Sequence, residues 1–193
     1  MGKNQSVEQA LSAYLRQGEK ILWQSETAAF PLLEQGERWK IIGKWIGTVI
    51  ATAIILLLYT GGREWSGAAV AAILVIAALL LLSPVYERYS LLGQRYWITD
   101  QRAILITRDR SFYYMELSGI DSFRHLQRKP AHDCLILGEC IFEDIDRQLR
   151  WRSCHPKVDI QNDSRRGEAL GMVFFSVEDG TCGADCLRQR QKI

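Results

Sequence analysis

Two long apolar runs, separated by a short polar break, constrain this chain more than any other feature. Trp45 to Gly62 gives 18 residues without a charged side chain, and Trp65 to Tyr86 gives 22. A helix of about 20 apolar residues crosses a bilayer core about 30 Å thick, since each residue adds about 1.5 Å. The two runs therefore predict two membrane-spanning helices.

Two buried core helices of a soluble protein are the alternative to membrane spans. Long core helices usually keep a polar stripe on their solvated side, and neither Ile50 to Leu58 nor Ala68 to Leu82 has one. A signal peptide fits poorly, because the first run begins at Trp45 and a second run follows it. The break is too short to hold a domain, so the spans are expected to form a hairpin with both tails on one side.

Basic residues near the run ends predict the orientation of the hairpin. Lysine and arginine residues flank the outer ends of both runs, whereas the connecting loop has one arginine beside a glutamate. Cytoplasmic segments carry the excess of positive charge, so both termini are expected in the cytoplasm. The flanking residues are Arg38, Lys40, Lys44, Arg88 and Arg95, and the loop residues are Arg63 and Glu64.

Charge and cysteine content limit the function of the part that follows the hairpin. Glu87 to Ile193 has 17 Lys or Arg and 16 Asp or Glu. A nucleic-acid-binding domain normally has a clear basic excess, so nucleic acid is not expected as a partner. All five cysteines lie in this part, and in a reducing cytoplasm we expect free thiols.

Neither apolar run has an ionisable residue in its interior, which argues against a transporter or channel.

Composition divides the chain into three parts. Residues 1–40 contain a predicted amphipathic helix over Ser6 to Gln17, where Ser6 and Gln9 have capping-box spacing, followed by a lead-in that suits a strand. We expect this helix to pack on the protein's own domain, with docking to a membrane surface or a partner as the alternative. Residues 41–86 are the transmembrane hairpin, and residues 87–193 are one soluble domain.

After the hairpin, the residue pattern changes from helical to strand-like. Short runs rich in β-branched and aromatic residues, separated by polar turns, predict an antiparallel meander. A closing helix over Thr181 to Lys192 gives an α+β class in which the helix caps a curled sheet. The predicted strands are Tyr96 to Thr99, Arg102 to Thr107, Phe112 to Leu117, Gly119 to Gln127, Cys134 to Gly138 continued by Cys140 to Phe142, Gln148 to Ser153, and Leu170 to Val177.

Three segments of the chain resemble the bacterial PH-like domain family of membrane proteins. They are Gly18 to Trp23 ahead of the hairpin, Tyr96 to Ala103 directly after it, and the apolar strand Gly171 to Val177 before the last helix. The second segment is similar to the Tyr-x-Ile-Thr-x-x-Arg entry of that family. The residues that match its motif are Tyr96, Thr99 and Arg102.

This resemblance implies a PH-like bent β-barrel of seven strands, capped by the C-terminal helix and held at the cytoplasmic face of a bacterial inner membrane. Barrels of this family are interaction platforms for protein or lipid. They are not known as catalysts, so the resemblance gives no catalytic residue and no cofactor. It implies a structural role for Thr99 and Arg102 at the first turn, with Arg102 pairing with a carboxylate.

Cysteine and histidine residues are the candidates for a metal or redox site. Cys182 and Cys186 are four residues apart and share one face of a helix; with Cys154 or His155 they would supply zinc ligands. The usual paired CxxC knuckles are missing, and cysteine is a common core residue. Two core-facing thiols are therefore the favoured interpretation.

No nucleophile–base pair or phosphate-binding loop is recognisable, so no enzyme is expected.

Three hypotheses for function follow from the sequence. The first is a non-enzymatic, membrane-anchored module whose PH-like domain docks a protein partner within a membrane assembly, as an assembly factor does. The second is a sensor of anionic lipid that uses Arg102, Arg108 and Arg110, since arginine suits phosphate recognition; simple positive-inside charge explains the same cluster. The third is a thiol-based redox or zinc-binding membrane protein.

Overall fold

The computed structural model of the chain is α+β, with two β-sheets and four helices among the residues that it describes. These residues are 11, 14–34, 37–61, 66–127, 132–138, 141–143, 145–160 and 166–191. Most of the predicted helix over Ser6 to Gln17 lies outside them. The elements are β1 (Ile21–Glu26), α1 (Arg38–Thr60), α2 (Gly67–Leu91), β2 (Arg95–Thr99), β3 (Arg102–Ile106), β4 (Phe112–Glu116), β5 (Phe123–Leu126), β6 (Asp133–Leu137), α3 (Ile145–Cys154), β7 (Arg166–Glu168), β8 (Met172–Val177) and α4 (Gly180–Gln191).

Helices α1 and α2 are the two predicted spans. Each is long and apolar enough to cross a membrane, and only 6% of the most apolar window of each is buried. Side chains such as Leu57, Leu58 and Leu79 are more than half exposed, unlike those of a core helix. Across the hairpin, Trp45 donates its indole N–H to the carbonyl of Leu81 at 3.0 Å.

Two sheets form the soluble part, and they do not close into a barrel. The first has the order β1–β2–β3–β4–β7 and is antiparallel except for the β4–β7 pair, while the second has the antiparallel order β5–β6–β8. One bridge, from Thr27 to Val177, connects β1 to β8. The α+β class and the closing helix are confirmed, whereas the barrel is replaced by two sheets. The lead-in before the hairpin supplies β1 to the first sheet.

Three hydrophobic clusters show how the layers pack. The central cluster lies between the two sheets and beneath α4, which covers one end. A second cluster joins the outer face of β6 and β8 to α3 and to the end of α2, and a third covers the outer face of β2, β3 and β4. Fully buried members of the central cluster are Tyr96, Ile98, Leu105, Tyr113, Leu135, Leu137 and Phe174.

Helix α3 replaces the strand predicted over Gln148 to Ser153, and that prediction is wrong. Ile145 and Leu149 lie one helical turn apart and both enter the second cluster. A strand would place Leu149 and Trp151 on the same face, but Leu149 is 7% exposed and Trp151 is 44% exposed. The single buried stripe is short and surrounded by charge, so the helical period is easily missed.

Helix α2 passes from the apolar region into the soluble part without a linker. Its last residue, Leu91, is fully buried, and β2 begins only four residues later at Arg95. Arg88 donates its Nε–H to the carbonyl of Phe30 at 2.9 Å. These contacts fix the hairpin to the domain.

The buried stripe of α3 predicts unequal effects of two substitutions. Leu149→Ala is expected to lower the free energy of unfolding by about 2–5 kcal/mol, because it removes buried side-chain atoms and leaves a cavity. Trp151→Ala removes a larger but exposed side chain, and we expect a loss below about 1 kcal/mol. Denaturant unfolding of the full chain in detergent measures both. Similar losses for the two variants would favour a strand.

Candidate functional site

The four named residues of the predicted Tyr-x-Ile-Thr-x-x-Arg segment, Tyr96, Ile98, Thr99 and Arg102, are buried. Their hydrogen bonds stabilise the fold at both ends of β2. Thr99 ends β2, and its hydroxyl oxygen accepts the backbone N–H of Arg102 at 2.9 Å and that of Gln101 at 3.2 Å. Such a side-chain-to-backbone contact closes a tight turn. Thr99 is therefore the residue that shapes the β2–β3 turn.

Arg102 forms a buried, two-pronged ion pair with Glu19. The Arg102 Nε–H and Nη2–H groups donate to the two oxygens of Glu19, each at 2.9 Å, and the side chains are 6% and 0% exposed. Nη2 also donates to the carbonyl of Tyr14 at 2.7 Å, and the Thr99 hydroxyl donates to Glu19 at 2.7 Å. The guanidinium is thus used inside the fold and does not face solvent.

The pKa of Glu19 reflects competition between burial and hydrogen bonding. Burial alone raises the pKa of this carboxyl, but hydrogen bonds from Arg102, from the backbone N–H of Arg16 and from Thr99 outweigh it and lower the pKa below its usual value. Glu19 is accordingly ionised at neutral pH. The ion pair ties the segment before the hairpin to the sheet after it.

Tyr96 is the centre of a second buried network, on the opposite end of β2. Its hydroxyl lies 2.8 Å from the Thr27 hydroxyl, donates to the side-chain oxygen of Gln94 at 2.9 Å and accepts the backbone N–H of Phe175 at 3.2 Å. Gln94 in turn donates to the carbonyl of Ser153 in α3 at 2.6 Å. Burial raises the pKa of Tyr96 above its ordinary value, so the hydroxyl stays neutral. The network links β1, β2, β8 and α3.

Arg108 and Arg110 lie apart from Arg102, on the exposed turn between β3 and β4. The Arg108 guanidinium lies 3.4 Å from the ring centre of Tyr89 in the last turns of α2 and donates to the Tyr89 carbonyl at 3.3 Å. Arg110 has a φ of +63°, a left-handed conformation typical of tight turns. The structure therefore separates the predicted arginine cluster into one buried residue and two exposed ones.

The candidate zinc ligands fall on two different helices. Cys182 is exposed on α4 with Cys186 nearby, and burial raises the pKa of the Cys186 thiol. Cys154 ends α3, where burial, then the nearby Glu87 carboxylate, raises its pKa to about 12. His155 stacks on Trp151. Among the described residues, no group of three or more His, Cys, Asp or Glu side chains is placed to hold a metal ion.

A polar groove lies beside β1 in the soluble part. It has a volume of about 460 Å³ and is lined by residues 24–29, Arg95, Trp97 and the turn formed by Glu178 and Asp179. Arg95 pairs with Glu26 at 3.2 Å, so the two turn carboxylates leave the groove acidic. The sequence pattern does not predict this groove, because its two walls are about 150 residues apart in the chain.

Strand β1 forms the edge of the first sheet at this groove. Directly after β1, two consecutive backbone N–H groups donate hydrogen bonds to opposite sides of the chain. Thr27 donates its N–H to the carbonyl of Gln94 at 3.3 Å, toward β2, and Ala28 donates to the carbonyl of Ser176 at 2.7 Å, toward β8. Among the described residues, the only pairing on the outer side of β1 is the bridge from Thr27 to Val177, which lies at the end of the strand.

Removal of the Glu19 charge is expected to destabilise the fold strongly. Glu19→Gln leaves the Arg102 guanidinium buried without its counter-charge, which costs about 3–5 kcal/mol of unfolding free energy. Folding lowers the pKa of Glu19, so the pair stabilises the protein above the unfolded-state pKa, and this stabilisation is lost as the pH falls through the folded-state pKa. Unfolding curves of both proteins measured against pH should therefore converge in acid.

Glu116→Gln is the matched control for this substitution. Glu116 pairs with Arg16, but these side chains are 26% and 44% exposed, and an exposed pair contributes less than about 1 kcal/mol. Equal losses for Glu19→Gln and Glu116→Gln would contradict a structural role of the buried pair.

Comparisons with known proteins add no family to this description. No protein-family model, curated protein or solved structure matches the chain. The resemblance to bacterial PH-like domains therefore stays a prediction that rests on the residues of the β2–β3 turn and on the segments around it. The site itself is a β-strand edge beside an acidic groove, on a domain fixed to two helices long and apolar enough to cross a membrane.

Proposed function

We propose that this protein is a non-enzymatic, membrane-anchored interaction module that docks a protein partner through its PH-like soluble domain. The observation that carries the proposal is the edge of β1 beside the acidic groove, which no described strand covers. An extended segment of a partner pairs with such an edge as an additional strand, and the adjacent groove receives its side chains. The partner's segment is expected to be basic, since the groove contains Glu178 and Asp179.

The backbone direction at β1 supports this mode of docking. Hydrogen-bonding direction alternates along a strand, so the N–H and C=O groups of Gln24 and Glu26 point the same way as those of Ala28, away from β2. The N–H of Ala28 donates to the carbonyl of Ser176 in β8. Gln24 and Glu26 instead line the groove. The Glu26 carbonyl already accepts the Ser25 hydroxyl at 3.1 Å, so the backbone groups of Gln24 are the ones offered to a partner strand.

Membrane anchoring is the second part of the proposal. Both α1 and α2 have the length and hydropathy of membrane spans, and their apolar side chains are exposed. With the positive-inside bias of the flanking residues, the soluble domain lies on the cytoplasmic side of a bacterial inner membrane. A partner within the same membrane meets the groove at high local concentration, because both proteins move in one plane.

A proline at position 24 tests strand addition. Gln24→Pro removes an N–H group that points away from β2, so the β1–β2 pairing is retained while the outward hydrogen bond to a partner is lost. Gln24→Ala keeps the N–H group and changes only the side chain. When the intact variants are purified from native membranes in mild detergent, a stoichiometric partner is expected with the wild type and Gln24→Ala and not with Gln24→Pro.

Two controls make this result interpretable. Ser25→Pro removes an N–H that points toward β2, so it is expected to lower thermal stability, whereas Gln24→Pro is expected to leave it nearly unchanged. Equal partner recovery with Gln24→Pro and Gln24→Ala would exclude docking through the β1 backbone. Extraction of the wild type from membranes by alkaline carbonate would exclude the anchoring part of the proposal.

Contact with anionic lipid is a second candidate function, carried by the position of Arg108. Because this guanidinium packs on Tyr89 near the end of α2, the β3–β4 turn lies beside the segment that leaves the membrane. Arg110, on the same turn, is exposed. Each basic group near an anionic surface contributes about 1 kcal/mol of attraction, which suits a surface sensor.

Hydrogen exchange of the reconstituted chain tests this second function. In vesicles that contain phosphatidylglycerol, the amides of residues 107–111 are expected to exchange more slowly than in pure phosphatidylcholine. High salt and the double variant Arg108→Glu/Arg110→Glu should each remove the difference, because the attraction is electrostatic. Identical exchange in the two kinds of vesicle would leave these arginines as positive-inside charge alone.

A further inference from the structure

One groove runs along a single face of the hairpin, from the apolar region to the soluble part. Two cavities, of about 430 and 190 Å³, share Lys44 as a lining residue. On α1 the lining positions are 40, 41, 43, 44, 47, 48, 51, 52 and 55, with residue 37 just before the helix, and on α2 they are 73, 76, 77, 80, 84 and 87. Steps of three or four residues keep one helix face, so the two cavities are parts of one continuous groove.

The apolar part of the groove exists because α1 has small residues there. A Cβ atom added at Gly43 or Gly47 would meet no atom within 4 Å, so these glycines border open space and do not pack on α2. The hydroxyls of Thr48 and Thr52 donate to backbone carbonyls of their own helix, at 2.8 and 2.7 Å. The groove wall is therefore hydrocarbon in character.

The other end of the groove is charged, and its charges do not balance. Lys40 pairs with Glu37 at 2.9 Å, and the Arg150 Nε lies 3.8 Å from an oxygen of Glu87. The ammonium of Lys44 donates to a neutral group, the Ser83 hydroxyl, at 2.6 Å. Three cations and two carboxylates line this cavity, which leaves one positive charge where the apolar groove begins.

Arg150 lies at the same end and adds a buried guanidinium whose counter-charge, Glu87, is not in hydrogen-bond contact with it. The Arg150 side chain is 6% exposed to solvent. Among the described residues, no hydrogen-bond acceptor is placed for its Nε–H group, and Glu87 is beyond hydrogen-bond distance. A buried cationic group with a hydrogen bond unmade is costly, and a nearby anion offsets that cost.

We propose that this groove binds one phospholipid of net charge −1, with its phosphate at Lys44 above Arg150 and one acyl chain along Gly43 and Gly47. This inference rests on the proposed membrane span. A basic pocket at the end of an apolar groove between transmembrane helices is typical of bound lipid head groups. A second apolar helix in the groove would leave the Lys44 ammonium uncompensated, whereas a phosphate neutralises it. Trp151 lines the same polar cavity, and tryptophan favours the head-group level.

Native mass spectrometry of the full chain tests the proposal. The protein is purified in mild detergent and incubated with equal amounts of phosphatidylglycerol and phosphatidylcholine. One phosphatidylglycerol per chain is expected. Lys44→Gln should lower the preference for phosphatidylglycerol about fivefold, since it removes one cation near the phosphate. Gly47→Leu fills open space in the groove and should remove the adduct of either lipid.

Two matched variants keep the test specific. Lys20→Gln removes an exposed lysine ahead of β1, and Gly67→Leu adds a side chain in open space at the other end of the hairpin. Both are expected to bind lipid as the wild type does. Gly47→Leu should retain full helicity by circular dichroism, because leucine favours a helix more than glycine does.

Three results would overturn the proposal. One is lipid binding by Gly47→Leu equal to that of Gly67→Leu. Another is that the wild type binds phosphatidylglycerol and phosphatidylcholine in equal amounts. The third is a lipid-free dimer that Gly47→Leu dissociates, which would make the hairpin of a second copy the occupant. A protein that stays in carbonate-washed membranes but holds no lipid contradicts only this inference, whereas a protein that leaves them also contradicts the membrane anchor.

Discussion

A buried arginine at the end of the hairpin holds three segments of the molecule together. Arg150 donates to the carbonyls of Leu32 and Pro84, at 3.3 and 3.2 Å, and faces the carboxylate of Glu87. It thereby brings together the chain before α1, the helix α2 and the helix α3. A buried charge is tolerated only when such groups surround it. The position of the soluble part beneath the spans depends on this arrangement.

Pro84 explains why polar contacts between α1 and α2 concentrate near Ser83. Proline inside a helix has no N–H to give to the carbonyl four residues earlier, here that of Leu80. The Ser83 hydroxyl donates to that carbonyl at 2.9 Å, and Lys44 donates to the same hydroxyl. The backbone hydrogen bond that Pro84 cannot make thus accounts for the series Lys44, Ser83 and the Leu80 carbonyl, which lies between two otherwise apolar helices.

Sequence reasoning identified the elements whose signal is local. The spans follow from length and missing charge, β2 to β4 from β-branched runs, and α4 from its spacing. The sequence does not predict helix α3, because only Ile145 and Leu149 show its buried face. The β1 edge, the groove in the hairpin and the Glu19–Arg102 pair depend on residues distant in the chain, which one sequence does not bring together. The two open sheets also depend on pairings, such as β4 with β7, that no local pattern gives.

The junction without a linker has a mechanical consequence. Since α2 ends in the buried Leu91 and β2 starts at Arg95, the soluble part would follow the tilt of α2 in the proposed membrane-anchored form. A bilayer that thins or thickens changes the tilt of a span whose length is fixed. The open strand edge would then rise or fall relative to the membrane surface. Under the proposed docking function, bilayer thickness would in this way control which partners the edge can reach.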